Sequence, residues 1–583
     1  MMTLPPYGMF APRSRPVPSV SDWHTLVTWD EIYPRAEVTK ADLIAQVQRI
    51  GVNRGLRLIT AIDNIAFRDG ASRPDTQLAL ATEFTKTSPL VIPGLVREVR
   101  KGRIAFAPES LAILAGYIVQ HGVEEEPDES LVMTAFMNAL LMINQLYGEE
   151  QLAIRAAAQA ARPNGDPLES FLPMELRNAA LDDEPFDHLV ARLHAFVTWA
   201  RQQPKGKRPY VDIDAAFLEI YGRTYEDVAA AGLIVRHYFR MIDSIPQLKN
   251  LDPILNVEFL VAPLTEKQPV RDFIAARATS IAELRPILAA RDRMTAAALL
   301  PLQKRPFVDL GNGNYALPNM LFLSASIGIG LFHSLAEYFG AKGKRDRFSH
   351  FFAQFLQQHT EETIRRAVSK RGARVYPEFR YPKAKPRIDS SDVFLIEGRR
   401  VIFFDVCTKR LNTENSLNAA DLDSMERDID GMILSQAKQL EGRIADFRAG
   451  LYDIEGLTIA DIDEIFPVAV THQSIHGWAA TRRYVDRRLR EENLLQTGPR
   501  LEIVSVAELE TLVQAFDGDL SFADLFERRR NHAEEIARGR SLKNFLLLDD
   551  GWDGKDRSEN ACFRKWFDTV GAAKLTEWGF RDR

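Results

Sequence analysis

The stretch Tyr376–Arg410, YPEFRYPKAKPRIDSSDVFLIEGRRVIFFDVCTKR, decides the fold of the second half of this chain. Its apolar, β-branched and aromatic runs predict three short strands, and EGR at 397–399 predicts the turn of a hairpin between the last two. Asp392 opens the first arm of that hairpin and Asp405 closes the second, so an antiparallel pair sets the two carboxylates side by side. Because neighbouring carboxylates repel and raise each other's pKa, a divalent cation is the economical way to compensate them.

The elements around this stretch alternate between helical and extended patterns. Apolar residues recur at helical spacing before and after the three strands, and two further apolar runs have the length of buried strands. The predicted elements are a helix at 346–369, the three strands, a long helix at 417–447, a strand at 464–471, a helix at 478–493, a strand at 501–506 and a helix at 506–516.

The pair Ser391-Asp392 followed by Asp405-Val406-Cys407 resembles the signature of the PD-(D/E)XK nuclease superfamily. In that family an Asp begins one hairpin strand, and Asp or Glu, any residue and Lys follow near the end of the next strand. The order of elements over 345–516 is similar to the restriction-endonuclease-like core of the same family. Cys407 stands where the family has lysine, but Lys409 shares its strand face and lies only about 6.6 Å farther along.

The resemblance implies a metal-dependent nuclease that hydrolyses DNA phosphodiester bonds, with Mg²⁺ or Mn²⁺ as cofactor and DNA as partner. By the same resemblance, Lys409 would orient or deprotonate the attacking water, and Gln436 on the following helix would steady the site. The implied metal ligands are Asp392, Asp405, Glu378 and the carbonyl of Val406. The residues alone also allow a non-catalytic alternative, in which Glu378 is a surface strand residue, Asp392 caps a turn, and the domain binds nucleic acid or serves as a scaffold.

Basic residues concentrate just before the hairpin, with nine Lys or Arg between Arg365 and Arg387 against one acid, Glu378. Such a stripe would attract a phosphate backbone, and its binding would weaken with salt. The residues predicted to contact nucleic acid are Arg374, Arg380, Lys383, Lys385 and Arg387. The alternative is that the stripe is an ordinary solvated face.

The whole chain is predicted to be an α+β multidomain protein, because 583 residues with 46% hydrophobic and 26% charged residues can bury several cores. Residues 1–300 predict a mostly helical domain of unknown role that could dock a protein partner. Residues 301–344 predict a connecting hairpin and helix, 345–516 the nuclease-like domain, and 517–583 a helical extension. A net charge of −6 argues against a protein that coats nucleic acid indiscriminately.

Cysteine usage and hydropathy predict where the protein works. Cys407 and Cys562 are the only cysteines, which excludes a disulfide framework and fits a reducing cytoplasm. The start of the chain lacks the pattern of a secretion signal, and the apolar run 321–335 is too short and too polar for a membrane span. The Ala- and Arg-rich composition favours a bacterial cytoplasmic protein, and the overall plan is similar to antiviral defence nucleases.

Overall fold

The structure is a computed structural model of the chain. It describes residues 26–33, 37–69, 74–87, 92–125, 128–179, 186–205, 209–240, 254–291, 293–382, 388–475, 479–549 and 561–579. The architecture is α+β, with helices throughout the first half and mixed sheets in the second, as the sequence predicts.

The described residues up to 240 form helices, apart from an isolated β-bridge between Leu26 and Ile104. Their boundaries follow local signals: Thr39 accepts a hydrogen bond from the Asp42 backbone N–H at the start of α2, and Gly222 ends α10 in the left-handed conformation. These helices are α1 (Trp29–Ile32), α2 (Lys40–Ile50), α3 (Val52–Asp69), α4 (Pro74–Thr87), α5 (Ile92–Arg100), α6 (Pro108–His121), α7 (Glu129–Ala161), α8 (Leu172–Ala179), α9 (Phe186–Gln202), α10 (Ile213–Tyr221) and α11 (Tyr225–Arg240).

A small four-stranded sheet with its helices connects the two halves. It consists of β1 (Leu255–Asn256), β2 (Ala278–Ser280), β3 (Phe307–Gly311) and β4 (Asn314–Ala316), in the order β1-β4-β3-β2. The β3–β4 pair is the hairpin expected at this boundary. The helices are α12 (Val257–Val261), α13 (Gln268–Ala275), α14 (Ile281–Ala289), a 3₁₀ helix at Ala296–Gln303, α15 (Met320–Ile327), α16 (Ile329–Ala341) and α17 (Arg345–Ala367).

The apolar run predicted as one buried helix is two helices, α15 and α16, separated at Gly328. Near this break a Cβ on Gly330 would lie 2.0 Å from the Gln303 carbonyl oxygen, so only glycine allows this approach of the backbone.

Among the described helices, α7 has the length and hydropathy of a membrane span over Leu131–Ala161, and 61% of its most apolar window is buried. The bent pair α15 and α16 reaches the same criteria when counted together.

The stretch 376–410 contributes three strands to a five-stranded sheet. Its strands are β5 (Arg374–Pro377), β8 (Val393–Glu397), β9 (Arg400–Cys407), β10 (Glu464–Thr471) and β11 (Glu502–Ser505), in the order β11-β10-β9-β8-β5. Strands β5, β8 and β9 pair antiparallel, whereas β9, β10 and β11 pair parallel. A separate two-stranded ribbon, β6 (Arg380–Tyr381) with β7 (Ile388–Asp389), follows β5, so the first of the three predicted strands is divided between β5 and β6.

Helices cover both faces of the five-stranded sheet. The long helix predicted at 417–447 is divided into a π-helix at Thr413–Asn418, α18 (Leu422–Ile429), a π-helix at Asp430–Leu434 and α19 (Ser435–Arg448). Ala420 adopts a positive φ of 55° between the first two, which ends helical geometry there. The remaining helices are α20 (Ala479–Glu491), α21 (Val506–Phe516), α22 (Phe522–Arg530), α23 (Glu535–Gly539), α24 (Leu542–Leu548), α25 (Ala561–Trp566), a π-helix at Phe567–Gly571 and α26 (Ala572–Glu577).

Alternation along the hairpin strands builds a different core on each side. Leu395 and Phe404 belong to a hydrophobic cluster that also contains residues of α9, α11 and α17. Phe394 and Phe403 point to the other face, where α19 and α20 cover them. Asp392 and Asp405 share the alternation of this second face, so they lie at the end of an otherwise apolar surface.

Candidate functional site

The strand register brings Asp392 and Asp405 together. Val393 pairs with Phe404 in the antiparallel β8–β9 ladder, which places Asp392 opposite Asp405. The backbone N–H of Val406 donates a hydrogen bond of 2.6 Å to Asp392 Oδ2. The sequence-based expectation that these two carboxylates meet at one end of the hairpin is therefore confirmed.

Burial dominates the electrostatics of this pair. It raises the pKa of Asp392, and the neighbouring charge of Asp405 raises that pKa further, whereas the Val406 N–H lowers it. Burial also raises the pKa of Asp405, and the opposing positive charge of Arg443 only partly offsets this rise. The pair consequently holds less negative charge than two exposed carboxylates would, unless a cation lies beside it.

Glu378 lies at the edge of the site. It directly follows β5 and is exposed, and its negative charge contributes to the raised pKa values of both Asp392 and Asp405. Gln357 Nε2, from α17, donates a hydrogen bond of 3.2 Å to Glu378 Oε2.

Arg443 is the residue that sequence analysis missed. Its Nη1 lies 3.2 Å from Asp405 Oδ2, and its Nε donates to the Asp389 carbonyl at 3.2 Å. Gln439 accepts a hydrogen bond from the same guanidinium. A signal existed in the sequence, because Gln436, Gln439 and Arg443 recur at helical spacing and form a polar stripe on α19.

The residues after Asp405 divide between the interior and the surface. Cys407 is buried, which raises the pKa of its thiol, while the side chain of Gln436 and the charge of Lys409 lower it. Gln436 thus contacts the thiol at the end of β9. Lys409 is exposed, and its Nζ lies 3.7 Å from the point where a Cβ on Gly431 would be. Val406 contributes its backbone N–H to Asp392.

Several basic residues predicted to form a positive stripe are paired with acids. Arg380 Nε donates to Asp389 Oδ1 at 2.7 Å. Arg365 pairs with Glu361, Lys370 with Asp517, and Arg371 with Asp519. Arg374 is exposed, and Lys383, Lys385 and Arg387 lie outside the described residues. The positive charge expected from the sequence is therefore partly neutralised. The acids responsible lie either just outside the segment 365–387 or far away in the sequence.

The pair fits a hard cation in part. Asp405 Oδ1 is buried and accepts no hydrogen bond of normal geometry from the described residues. The Ser391 hydroxyl is nevertheless near enough to lower the pKa of the Asp405 carboxyl group. Two carboxylates with a buried oxygen free to coordinate are the ligands that Mg²⁺ and Mn²⁺ prefer. Within the described part of the chain, however, no group of three or more His, Cys, Asp or Glu has the spacing to hold a metal ion.

Comparisons with known proteins found no match for this chain. No family model matches the chain, and neither a curated protein nor a solved structure is similar enough to count as a match.

Proposed function

We propose that this chain is a metal-dependent nuclease that hydrolyses DNA phosphodiester bonds at the Asp392–Asp405 pair. The single observation that carries the proposal is the pair itself: two carboxylates, held together in a largely apolar surface, whose pKa values are both raised. Carboxylates with strongly perturbed pKa values cluster at functional sites. The resemblance to the PD-(D/E)XK nucleases, and a role in bacterial defence, remain part of this proposal.

In this proposal each residue has one task. Asp392 and Asp405, with the Val406 carbonyl, would hold Mg²⁺, which would supply an activated water and neutralise charge at the phosphate, and Glu378 would have to turn away from Gln357 to join them. Lys409 moves towards the pair to orient or deprotonate that water. The contact of Gln436 with Cys407 keeps the end of β9 in place.

The test is cleavage of plasmid, linear and single-stranded DNA, and of RNA, with Mg²⁺ or Mn²⁺. We expect Asp392→Asn and Asp405→Asn to lower the rate by about 100-fold or more, a loss typical of removing electrostatic stabilisation at a reacting phosphate. Asp463→Asn is the matched control, because Asp463 lies at the opposite end of the same sheet and pairs with Arg399 on the surface. Equal cleavage by the wild type and both site variants would contradict the proposal.

A second candidate function is nucleic-acid binding or scaffolding without catalysis. The observation that favours it is that Arg443 already gives Asp405 a positive partner, while Cys407 replaces the family's lysine. Titration with Mn²⁺ separates the two candidates. A catalytic site binds the ion and loses that binding in Asp405→Asn, whereas a non-catalytic domain binds DNA equally well in the absence and presence of the ion.

A further inference from the structure

A cavity of about 150 Å³ lies near the carboxyl ends of β9 and β10, separate from the carboxylate pair. Helices α9, α15, α16 and α17 form one side of it, and the segments that follow β9 and β10 form the other. The cavity therefore lies where helices of the first half meet the five-stranded sheet. Ligands of open α/β sheets commonly bind just beyond the carboxyl ends of the strands.

Most of the cavity wall is apolar. Leu193 and Phe196 of α9, Leu331 of α16, and Phe352 and Phe355 of α17 line it. An apolar cavity of about 150 Å³ is large enough to hold a benzene molecule. The size and the wall thus suit one aromatic ring.

The polar end of the cavity is formed by Arg410, His472 and His333. The Arg410 guanidinium stacks on Phe332, with its Cζ 3.5 Å from the ring centroid. Arg410 Nε also donates a hydrogen bond of 3.1 Å to His472 Nδ1. Since a guanidinium can only donate, Nδ1 of His472 is an acceptor, and the proton of the neutral ring is on Nε2.

Positively charged side chains lie close to the two histidines at this end. Burial, together with the positive charges of Arg410, Lys304 and Arg345, lowers the pKa of His333 to about 3. His472 has a pKa lowered by burial and then by Arg410, so both imidazoles are neutral near pH 7. Both rings are therefore available as hydrogen-bonding groups rather than as cations.

The second arginine of the wall, Arg192, has a different role. It donates to both oxygens of Glu510, at 3.0 Å and 2.6 Å, and its charge is compensated by that carboxylate. His359 also contacts Glu510, at 2.8 Å. Arg410 is the other arginine of the wall, and it lies beside His472 where the segments after β9 and β10 line the cavity.

We propose that the cavity binds a small aromatic carboxylate, with its ring among Phe196, Phe352 and Phe355 and its carboxylate on Arg410 and His472. The ligand satisfies both halves of the site, because an apolar ring matches the wall and an anion matches the charged end. Because the wall comes from both halves of the chain, bound ligand stabilises the packing of the helical half on the sheet.

Three probes test the proposal on the full-length protein by calorimetry and thermal unfolding. Benzoate has the ring and the charge, toluene has the ring only, and acetate has the charge only. We expect benzoate to bind more tightly than the other two and to raise Tm. Arg410→Met keeps most of the side-chain volume and should weaken benzoate binding about tenfold, the worth of one charge-assisted hydrogen bond.

A second variant tests the proposal independently, in case Arg410→Met does not fold. Ala325→Leu fills the cavity from α15 and should abolish binding of benzoate and toluene alike, whereas Arg399→Met, at the opposite end of β9, should bind benzoate like the wild type. The proposal is overturned if benzoate does not bind, if toluene or acetate binds equally well, or if Ala325→Leu binds benzoate unchanged. Retention of wild-type affinity in a folded Arg410→Met would overturn it as well.

Discussion

At the scale of single residues, Asp392 and Asp405 lower the stability of the fold at neutral pH because folding raises their pKa values. A carboxyl group with a raised folded pKa binds its proton more tightly in the native state. Between the ordinary pKa of about 3.9 and the raised folded value, stability therefore falls as pH rises. The direction is opposite to that of an ordinary ion-paired aspartate.

Asp392→Asn should therefore stabilise the protein near neutral pH by an amount on the order of 1 kcal/mol, because it removes a buried charge but keeps an oxygen that can accept from the Val406 N–H. The gain should disappear near pH 4, where the wild-type carboxyl group is protonated. Urea unfolding at both pH values measures the difference. Asp463→Asn should show no such gain, since a hydrogen bond from Arg399 lowers the pKa of exposed Asp463.

Arg443 supports the pair from α19, and its loss should destabilise the protein. The side chains of Arg443 and Asp405 are 16% and 3% exposed, so the ion pair is largely shielded from water. We expect Arg443→Met to cost about 2 kcal/mol in urea unfolding at neutral pH, because buried Asp405 loses its cationic partner and must either remain charged or take up a proton. In an Asp405→Asn background the same substitution should cost far less. An equal loss in both backgrounds would show that Arg443 acts through packing alone.

At the scale of elements, the hairpin was predictable because its signals are local. The β8–β9 register follows from apolar alternation and from a two-residue turn, in which Gly398 adopts a φ of 63°. The π-helix around Gly431 has no such signal, and it divides a segment whose periodicity predicts one continuous helix. The charge partners Asp517 and Asp519 could not be found by counting near the basic stripe, since they lie about 150 residues farther along.

Replacing Gly398 and Gly442 by alanine should change the stability of the protein in opposite directions, because one glycine lies in a turn and the other inside a helix. Gly398→Ala should destabilise the protein by about 1 kcal/mol, because alanine is strained at a positive φ. Gly442 lies inside α19, and a Cβ there would meet nothing within 4 Å, so Gly442→Ala should stabilise by about 0.5–1 kcal/mol. Urea unfolding of both variants provides the measurement. A gain from Gly398→Ala would contradict the turn geometry.

At the scale of the whole molecule, the helical half is part of the core that covers the sheet. The ring centroids of Trp199 and Phe351 lie 4.6 Å apart, and those of Phe196 and Phe355 lie 5.0 Å apart. Trp199 Nε1 also donates to Gln358 of α17 at 2.8 Å. The helical spacing of apolar residues predicted a helical half but not these contacts, because that spacing does not show which distant segment a helix packs against.

Residues 345–583 should therefore not fold alone, because removing α9 exposes the aromatic face of α17 to water. Each aromatic or leucine side chain uncovered in this way costs roughly 1.5–3 kcal/mol, which exceeds a typical total stability after a few residues. We expect the fragment to aggregate or to bind a hydrophobic dye, as judged by gel filtration and fluorescence, and co-expression with residues 1–344 to restore a soluble complex. The full-length chain is the control. A soluble monomeric fragment with a cooperative thermal transition would show that the sheet needs no cover from the helical half.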